Sequence, residues 1–287
     1  MTPTLIDDIV NGYAALLTER GVKDSTIKMR RYNLAKVLRK LEGLGLETDP
    51  SRMGAEEVRA VAYGIGLKES TARQYVSMLT DLCDEYGNDA PRRTRVLWNR
   101  TEPAVVWITA SDLRTLLRAA EPSERMALVL GAMAGLRCSE IADLRVEDIH
   151  RDSVTVCGKG HGNGLRVEQP IPPEVREEIA SYMAWRSSAG ITSNRLIVWP
   201  NGHRDTDNLS YSVYYRIRKL GDSVGVRVAP HALRRFYATA MYDQGVDLVT
   251  ISKLMRHARL ETTEKYIRRD RRREYTAIGN LASAFLA

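Results

Sequence analysis

Strand-forming sequence is confined to a short part of this 287-residue chain, and that confinement sets the fold class. Ser153-Val154-Thr155-Val156-Cys157 is rich in β-branched residues, and the run from Leu165 to Ile171 alternates, with Leu165, Val167 and Ile171 on one face. Between them, Gly158-Lys159-Gly160-His161-Gly162-Asn163-Gly164 has the glycine spacing of a flexible hairpin tip. Leu196-Ile197-Val198-Trp199 reads as a third short strand. Almost everywhere else, apolar residues recur at helical spacing. The expected fold is mainly α with a small antiparallel β-sheet, an α+β class.

Residues 4–86 read as helices only. Leu5, Ile9, Tyr13, Leu16 and Leu17 share a face, and Gly21 stops that helix. Asp24 or Ser25 caps a second helix that buries Ile27, Leu34, Leu38 and Leu41 and carries Lys28, Arg30 and Arg31. A shorter helix over Ala55–Tyr63 and one capped by Ser70 complete a small bundle. Turn residues from Gly87 and the basic run Arg92-Arg93-Thr94-Arg95 then mark a boundary. The expected organisation is a helical domain over 1–88, a basic linker over 89–104 and a second domain over 105–287. That second domain opens on Thr109-Ala110-Ser111-Asp112, a capping-box pattern, and Ser139 is expected to cap a short helix through Leu144.

Composition narrows the partner. The formal net charge is +7, which suits a polyanionic partner as well as an ordinary basic protein; the basic helix at Lys28, Arg30 and Arg31 and the run Arg92, Arg93 and Arg95 are expected to be contacts to a DNA backbone or simply solvated charge. No apolar run reaches the ~18 residues of a membrane span. The first residues lack the basic-then-apolar pattern of a secretory signal, and Cys83, Cys138 and Cys157 are scattered as reduced thiols would be. A cytoplasmic location is the expectation.

The chemistry-bearing residues cluster late in the chain. His231-Ala232-Leu233-Arg234 puts a histidine and an arginine three residues apart, on one face if a helix starts there. His257 and Tyr266 follow, nine residues apart, with Thr262-Thr263 as the expected helix start between them. Arg137 lies in a Gly-Leu-Arg turn, and Lys159 in the glycine-flanked hairpin. Arginine clamps phosphate oxygens with paired donors, histidine moves protons near neutral pH, and tyrosine can be a covalent nucleophile. Each residue alone also has a structural reading: a core histidine, a core aromatic, an ordinary hairpin lysine. As a set they describe metal-free chemistry on a phosphodiester.

The motifs around these residues resemble the tyrosine recombinases, the phage integrase family. Gly135-Leu136-Arg137-Cys138-Ser139-Glu140-Ile141-Ala142-Asp143-Leu144 is similar to the family's first box. His231-Ala232-Leu233-Arg234-Arg235-Phe236-Tyr237-Ala238-Thr239 resembles the second, and Leu254 through Tyr266 the third. Val156-Cys157-Gly158-Lys159-Gly160 resembles the family's lysine hairpin, and the N-terminal helices resemble its SAM-like core-binding domain. The layout is similar to that of Xer-type core recombinases.

The resemblance implies a two-domain, C-shaped DNA clamp that recombines specific sites. Tyr266 would attack the scissile phosphate and form a 3′-phosphotyrosyl link. Arg137 and Arg234 would bind the non-bridging oxygens, and Lys159 would protonate the 5′-oxygen. His231 would accept the tyrosine proton or donate a hydrogen bond, and His257 would donate to the phosphate. No metal or other cofactor is implied. The implied partners are double-stranded DNA with an inverted-repeat core site, further copies of the chain up to a tetramer, and in some systems a directionality factor. The apolar stripe Ile278, Leu281, Phe285 and Leu286 would form a helix donated to a neighbouring protomer. The chain departs from the family pattern at Arg256, where glycine is common, and at Arg235 and Tyr237. Arg256 is expected either to alter the local turn or to add a phosphate contact, and Arg235 is read as a further DNA contact. A type IB topoisomerase and a non-cleaving DNA-binding protein on the same fold are the alternatives.

Overall fold

The computed structural model describes residues 5–98, 105–158, 166–199, 209–257, 259–267 and 275. The chain divides into two compact units, one running to Pro103 and the other beginning at Ala104.

The first unit contains α1 (Leu5–Glu19), α2 (Asp24–Gly43), α3 (Ala55–Arg59) with a π-helical turn over Ala60–Gly64, α4 (Glu69–Glu85) and α5 (Ala90–Arg93). Its core is the apolar face that the spacing predicts: Leu34, Leu38, Leu41, Leu79 and Leu82 are fully buried. The start of the expected linker is different. Residues 90–93 form α5, Pro91 is buried, and the Asn88 amide donates to Pro50 O at 2.8 Å and Met53 O at 2.7 Å. Farther on, the Tyr63 hydroxyl accepts from Leu97 N at 2.7 Å. The turn residues after Gly87 therefore fold a last helix back onto the bundle instead of releasing the chain, because proline suits a first helical turn and Asn88 satisfies nearby carbonyls.

The second unit contains α6 (Ala110–Ala119), α7 (Pro122–Met133), α8 (Cys138–Asp143), β1 (Ser153–Cys157), β2 (Arg166–Pro170), α9 (Pro173–Ser188), α10 (Leu209–Ser223), α11 (Pro230–Asp243), α12 (Leu248–Leu254) and α13 (Leu260–Glu264). The capping box at the start of α6 forms as expected, with Asp112 N donating to Thr109 Oγ1 at 3.1 Å and Thr109 N to Asp112 Oδ2 at 2.8 Å. Helix α7 is apolar on every side and packs against α9, α10 and α11, as a central helix must. Its Gly131 lets α11 approach closely: a Cβ there would lie 3.0 Å from Leu233 Cδ1. Leu233 immediately precedes Arg234, so this contact fixes the helix that carries the site.

β1 and β2 form an antiparallel pair with Val154 opposite Gln169 and Val156 opposite Val167. The third strand does not form. Around Leu196–Trp199 there is only an isolated bridge, Arg145 with Arg195. The segment is apolar because Leu196 and Ile197 are in the core, and its backbone is satisfied without a ladder. Leu196 N donates to Leu144 O at 2.8 Å, and the buried Arg186 guanidinium donates to Arg195 O, Leu196 O and Ser193 O at 2.7, 2.6 and 2.5 Å. Arg186→Met is expected to strand those carbonyls and destabilise the chain by about 3 kcal/mol in urea unfolding. A loss below about 1 kcal/mol would show that the guanidinium does not hold this segment.

Candidate active site

Two tight turns and the start of one helix build the site. The first turn carries Gly135, whose φ is +64°, a conformation that glycine adopts without strain. A Cβ there would also lie 2.5 Å from Tyr237 Cδ1, so both the backbone and the neighbouring ring exclude a side chain. Leu136 is buried, and Arg137 follows as the N-cap of α8. The expected cap, Ser139, is not used. The Glu140 carboxylate accepts from Arg137 N at 2.8 Å instead.

The second turn ends α12. Arg256 has φ +53°, Arg256 N donates to Lys253 O at 2.9 Å, and His257 N donates to Ser252 O at 3.0 Å. These two bonds are the pattern of a Schellman C-cap, which explains why glycine suits this position. Arg234, on the second turn of α11, joins the two turns: it donates to Gly135 O and Met255 O, and its Nη2 lies 3.2 Å from His257 Nε2. Arg137 reaches the same place, donating to Arg256 O at 3.2 Å.

The centre of the cluster is Glu140. Arg137 Nη1 donates to its Oε1 at 2.6 Å, Arg256 Nη2 to its Oε2 at 2.5 Å, and Arg234 Nη1 lies 3.8 Å from Oε2. Burial alone would raise the Glu140 pKa, but Arg256, the Arg137 backbone N–H and guanidinium, and Arg234 hold it below the usual carboxylate range. Arg234 is fully buried. Burial, then repulsion from Arg137, pulls its pKa down, while Glu140 opposes the shift. Three guanidinium groups share one carboxylate, leaving two positive charges uncompensated within the cluster. The sequence signal for Glu140 is a carboxylate three residues after an arginine, at capping-box spacing, which is common in helices of any function.

Tyr266 and His257 lie beside this cluster. Their ring centroids are 5.0 Å apart. The Tyr266 backbone is pinned on both sides: its N donates to Thr263 O at 2.8 Å, and its O accepts from Thr239 Oγ1 on α11 at 3.1 Å. Burial, followed by Arg234, Arg137 and Arg256, lowers the His257 pKa to about 4. The ring is neutral at pH 7. Nε2 then accepts from Arg234, and Nδ1–H donates to Thr263 Oγ1 at 2.9 Å. Thr262-Thr263 do not start a helix. They lie inside α13, and the buried Thr263 orients the histidine.

The structure thus brings Arg137, Arg234, His257 and Tyr266 together. His231 is exposed on the first turn of α11, three residues before Arg234. Lys159 lies outside the described residues, between the ends of β1 and β2. Among the expected DNA contacts, Lys28, Arg31 and Arg95 are exposed, and Arg31 also reaches Asn11 Oδ1 at 2.7 Å. Arg30 turns toward the Tyr13 hydroxyl at 2.9 Å. Arg92 Nε donates to Asp84 Oδ2 at 2.9 Å, and Arg93 pairs with Asp89. Arg235 is half-buried over the Tyr266 ring. Arg256 does not fit a phosphate contact: its side chain is 8% exposed and its guanidinium donates to Glu140 and Gln169, drawn inward by the buried carboxylate.

This helical unit with one small hairpin, with an arginine cluster beside a held tyrosine, is that of a DNA strand-cleaving and rejoining enzyme, as the following relatives show. The chain belongs to the phage integrase family, whose model matches residues 106–273, more than half of its length. It is 29% identical over 269 residues to the tyrosine recombinase XerA of Thermococcus onnurineus, covering 91% of this chain and 90% of that one. It is 27% identical to the tyrosine recombinase XerC of Azotobacter vinelandii, covering 89% of both. Among solved structures, a lambda integrase (75–356) dimer bound to a COC' core site matches with a TM-score of 0.70 at 17% identity, covering 90% of this chain and 94% of that one. A lambda integrase tetramer bound to a Holliday junction matches with a TM-score of 0.71 at 17% identity, covering 93% and 78%. At such identities the structural likeness establishes the fold.

The His257 environment has a pH signature. Its folded pKa, about 4, lies below the ordinary 6.5, so the unfolded chain binds this proton first. The neutral ring's contribution is complete above about pH 6.5 and is lost as pH falls toward about 4. His257→Gln is therefore expected to flatten the rise of unfolding free energy with pH across that window. An unchanged slope would place the histidine elsewhere.

Proposed function

We propose that this enzyme is a site-specific DNA recombinase in which Tyr266 is the nucleophile. The observation that carries this reading is the uncompensated positive charge around Glu140, sheltered beside a tyrosine. Such a cluster demands an anion, and a phosphodiester crossing it would meet the phenol. The described residues show a matching deficit of acceptors. Arg234 Nε, Arg235 Nε and Arg256 Nε are buried without a hydrogen-bond partner. All three belong to this site, where acceptors are in short supply.

In the proposed step the Tyr266 phenolic oxygen attacks phosphorus and the bond from phosphorus to the 5′-oxygen breaks. The product is a 3′-phosphotyrosyl link and a free 5′-hydroxyl. Arg137 and Arg234 hold the non-bridging oxygens, His231 takes the phenol proton, and Lys159 protonates the leaving oxygen. His257 accepts from Arg234 in the DNA-free protein, so it orients that arginine, and it donates to phosphate once Nε2 carries the proton. Rejoining reverses the step with a hydroxyl from another strand, which conserves the bond energy without ATP.

Double-stranded DNA with an inverted-repeat core site is the proposed partner, and four copies of the chain are the proposed synaptic assembly. The tetramer of lambda integrase on a Holliday junction supports the second point. The segment 276–287, proposed to link protomers, lies outside the described residues. Among the described residues no helix is long and apolar enough to cross a membrane, and the cytoplasm is the proposed compartment. The DNA site would select among dimer resolution, integration, excision and inversion.

A suicide substrate nicked beside its core site tests the nucleophile. The wild type should accumulate a covalent protein–DNA adduct and Tyr266→Phe none. An adduct on Tyr266→Phe would assign the bond to another residue, with Tyr275 first in line. No adduct with wild type on a cognate site would favour the non-cleaving DNA binder.

A further inference from the structure

Arg235 is one of the places where the second box departs from the common family pattern, and the catalytic roles above leave it unused. Its guanidinium lies over two rings. The Tyr266 centroid is 5.7 Å from Cζ and the Trp107 centroid 6.0 Å. Nη1 donates to Val106 O across 3.4 Å, a long bond that adds little restraint. Nε is buried with no partner among the described residues. No carboxylate salt bridge to Arg235 is present among the described residues, so aromatic faces are the principal environment of this cation.

That environment has a direction. A guanidinium over a ring is held by the negative face of the π-system, and planar arginine stacks in a fixed pose. The backbone of Tyr266 is pinned by Thr263 and Thr239, but the phenol must still point at phosphorus. His257 bounds the ring on one side, at 5.0 Å and tilted by 49°. Arg235 is a second ring contact. It projects from α11, the helix that also carries Arg234, so one rigid element fixes both the phosphate clamp and the nucleophile's ring. Trp107 lies near the start of the second unit, and it is the other ring over which the guanidinium lies.

We infer that Arg235 is a positioning residue for the nucleophile: bracketed by Trp107 and Tyr266, its guanidinium holds the Tyr266 ring in the attacking pose. The inference rests on the reading of Tyr266 as the nucleophile. It differs from a phosphate contact in what it leaves intact. Removing a phosphate contact weakens DNA binding, whereas removing a ring support slows cleavage of DNA that is already bound.

The experiment uses the full chain and a nicked suicide substrate, and measures half-site affinity and single-turnover cleavage at saturating DNA. Arg235→Met keeps the length of the side chain without its charge or plane. It should bind DNA close to wild type and cleave about tenfold or more slowly. Arg235→Lys should recover part of the rate by restoring a cation. Trp107→Leu removes the other ring and should slow cleavage in the same direction, which keeps the inference testable if Arg235→Met folds poorly. Wild-type cleavage by both Arg235→Met and Trp107→Leu at saturation would overturn it. So would a defect confined to affinity, which would make Arg235 a DNA contact. An adduct on Tyr266→Phe, run alongside, would overturn the nucleophile assignment itself and so separates the two failures.

Discussion

Glu140 and the three arginines around it are the interaction on which the site depends. Burying a guanidinium costs several kcal/mol unless it is paired and hydrogen-bonded. One carboxylate, fixed by the first turn of α8, pairs closely with Arg137 and Arg256 and lies 3.8 Å from Arg234. Backbone carbonyls supply the acceptors that Arg234 needs, at Gly135 and Met255. The residual positive charge is not a packing defect. It is opposite in sign to the charge that a phosphodiester would bring, and donors already aimed and sheltered need little reorganisation when negative charge grows in a transition state.

That arrangement requires two turns to come within reach of one side chain. Gly135 turns the chain through a left-handed conformation against the Tyr237 ring. Arg256 does the same with a side chain attached, and its strain is offset where its guanidinium meets Glu140 and Gln169. Gln169 is on β2, so Arg256 ties the hairpin strand to the first-box helix. The close approach of α7 and α11 at Gly131 then fixes Arg234 relative to both turns. Each piece is a short-range steric requirement, and together they set a site assembled from four separated segments.

Much of this was legible in the sequence, for identifiable reasons. Arg137, Arg234, His257 and Tyr266, which the fold brings together, are chemically conspicuous residue types at recurrent spacings, so their clustering can be read without knowing the fold. The bundle and the hairpin followed from periodicity of 3.6 and 2. Glu140 was harder, because a carboxylate in a helix is ordinary until three arginines are seen around it. Of the two readings open for Arg256, the altered turn is the one that the positive φ supports, and the buried carboxylate is why its side chain turns inward. Leu196–Trp199 looked like a strand because burial on all sides gives the same apolar run whether the neighbour is a ladder or, as here, an arginine that satisfies the carbonyls. Residues 90–93 read as linker in the sequence because proline and asparagine mark a helix start as readily as a linker.

The most direct test of the central claim, that the arginine cluster neutralises phosphate charge, is to remove that charge from the substrate. Arg137→Ala is the suitable variant, because this side chain is 16% exposed and less embedded than Arg234. Cleavage should be measured on a suicide substrate with an ordinary scissile phosphate and on one with a neutral methylphosphonate there. The account predicts that Arg137→Ala is strongly impaired on the phosphate and regains much of its activity on the methylphosphonate. Equal impairment on both substrates would contradict it, and would make the arginine cluster a scaffold rather than a charge clamp.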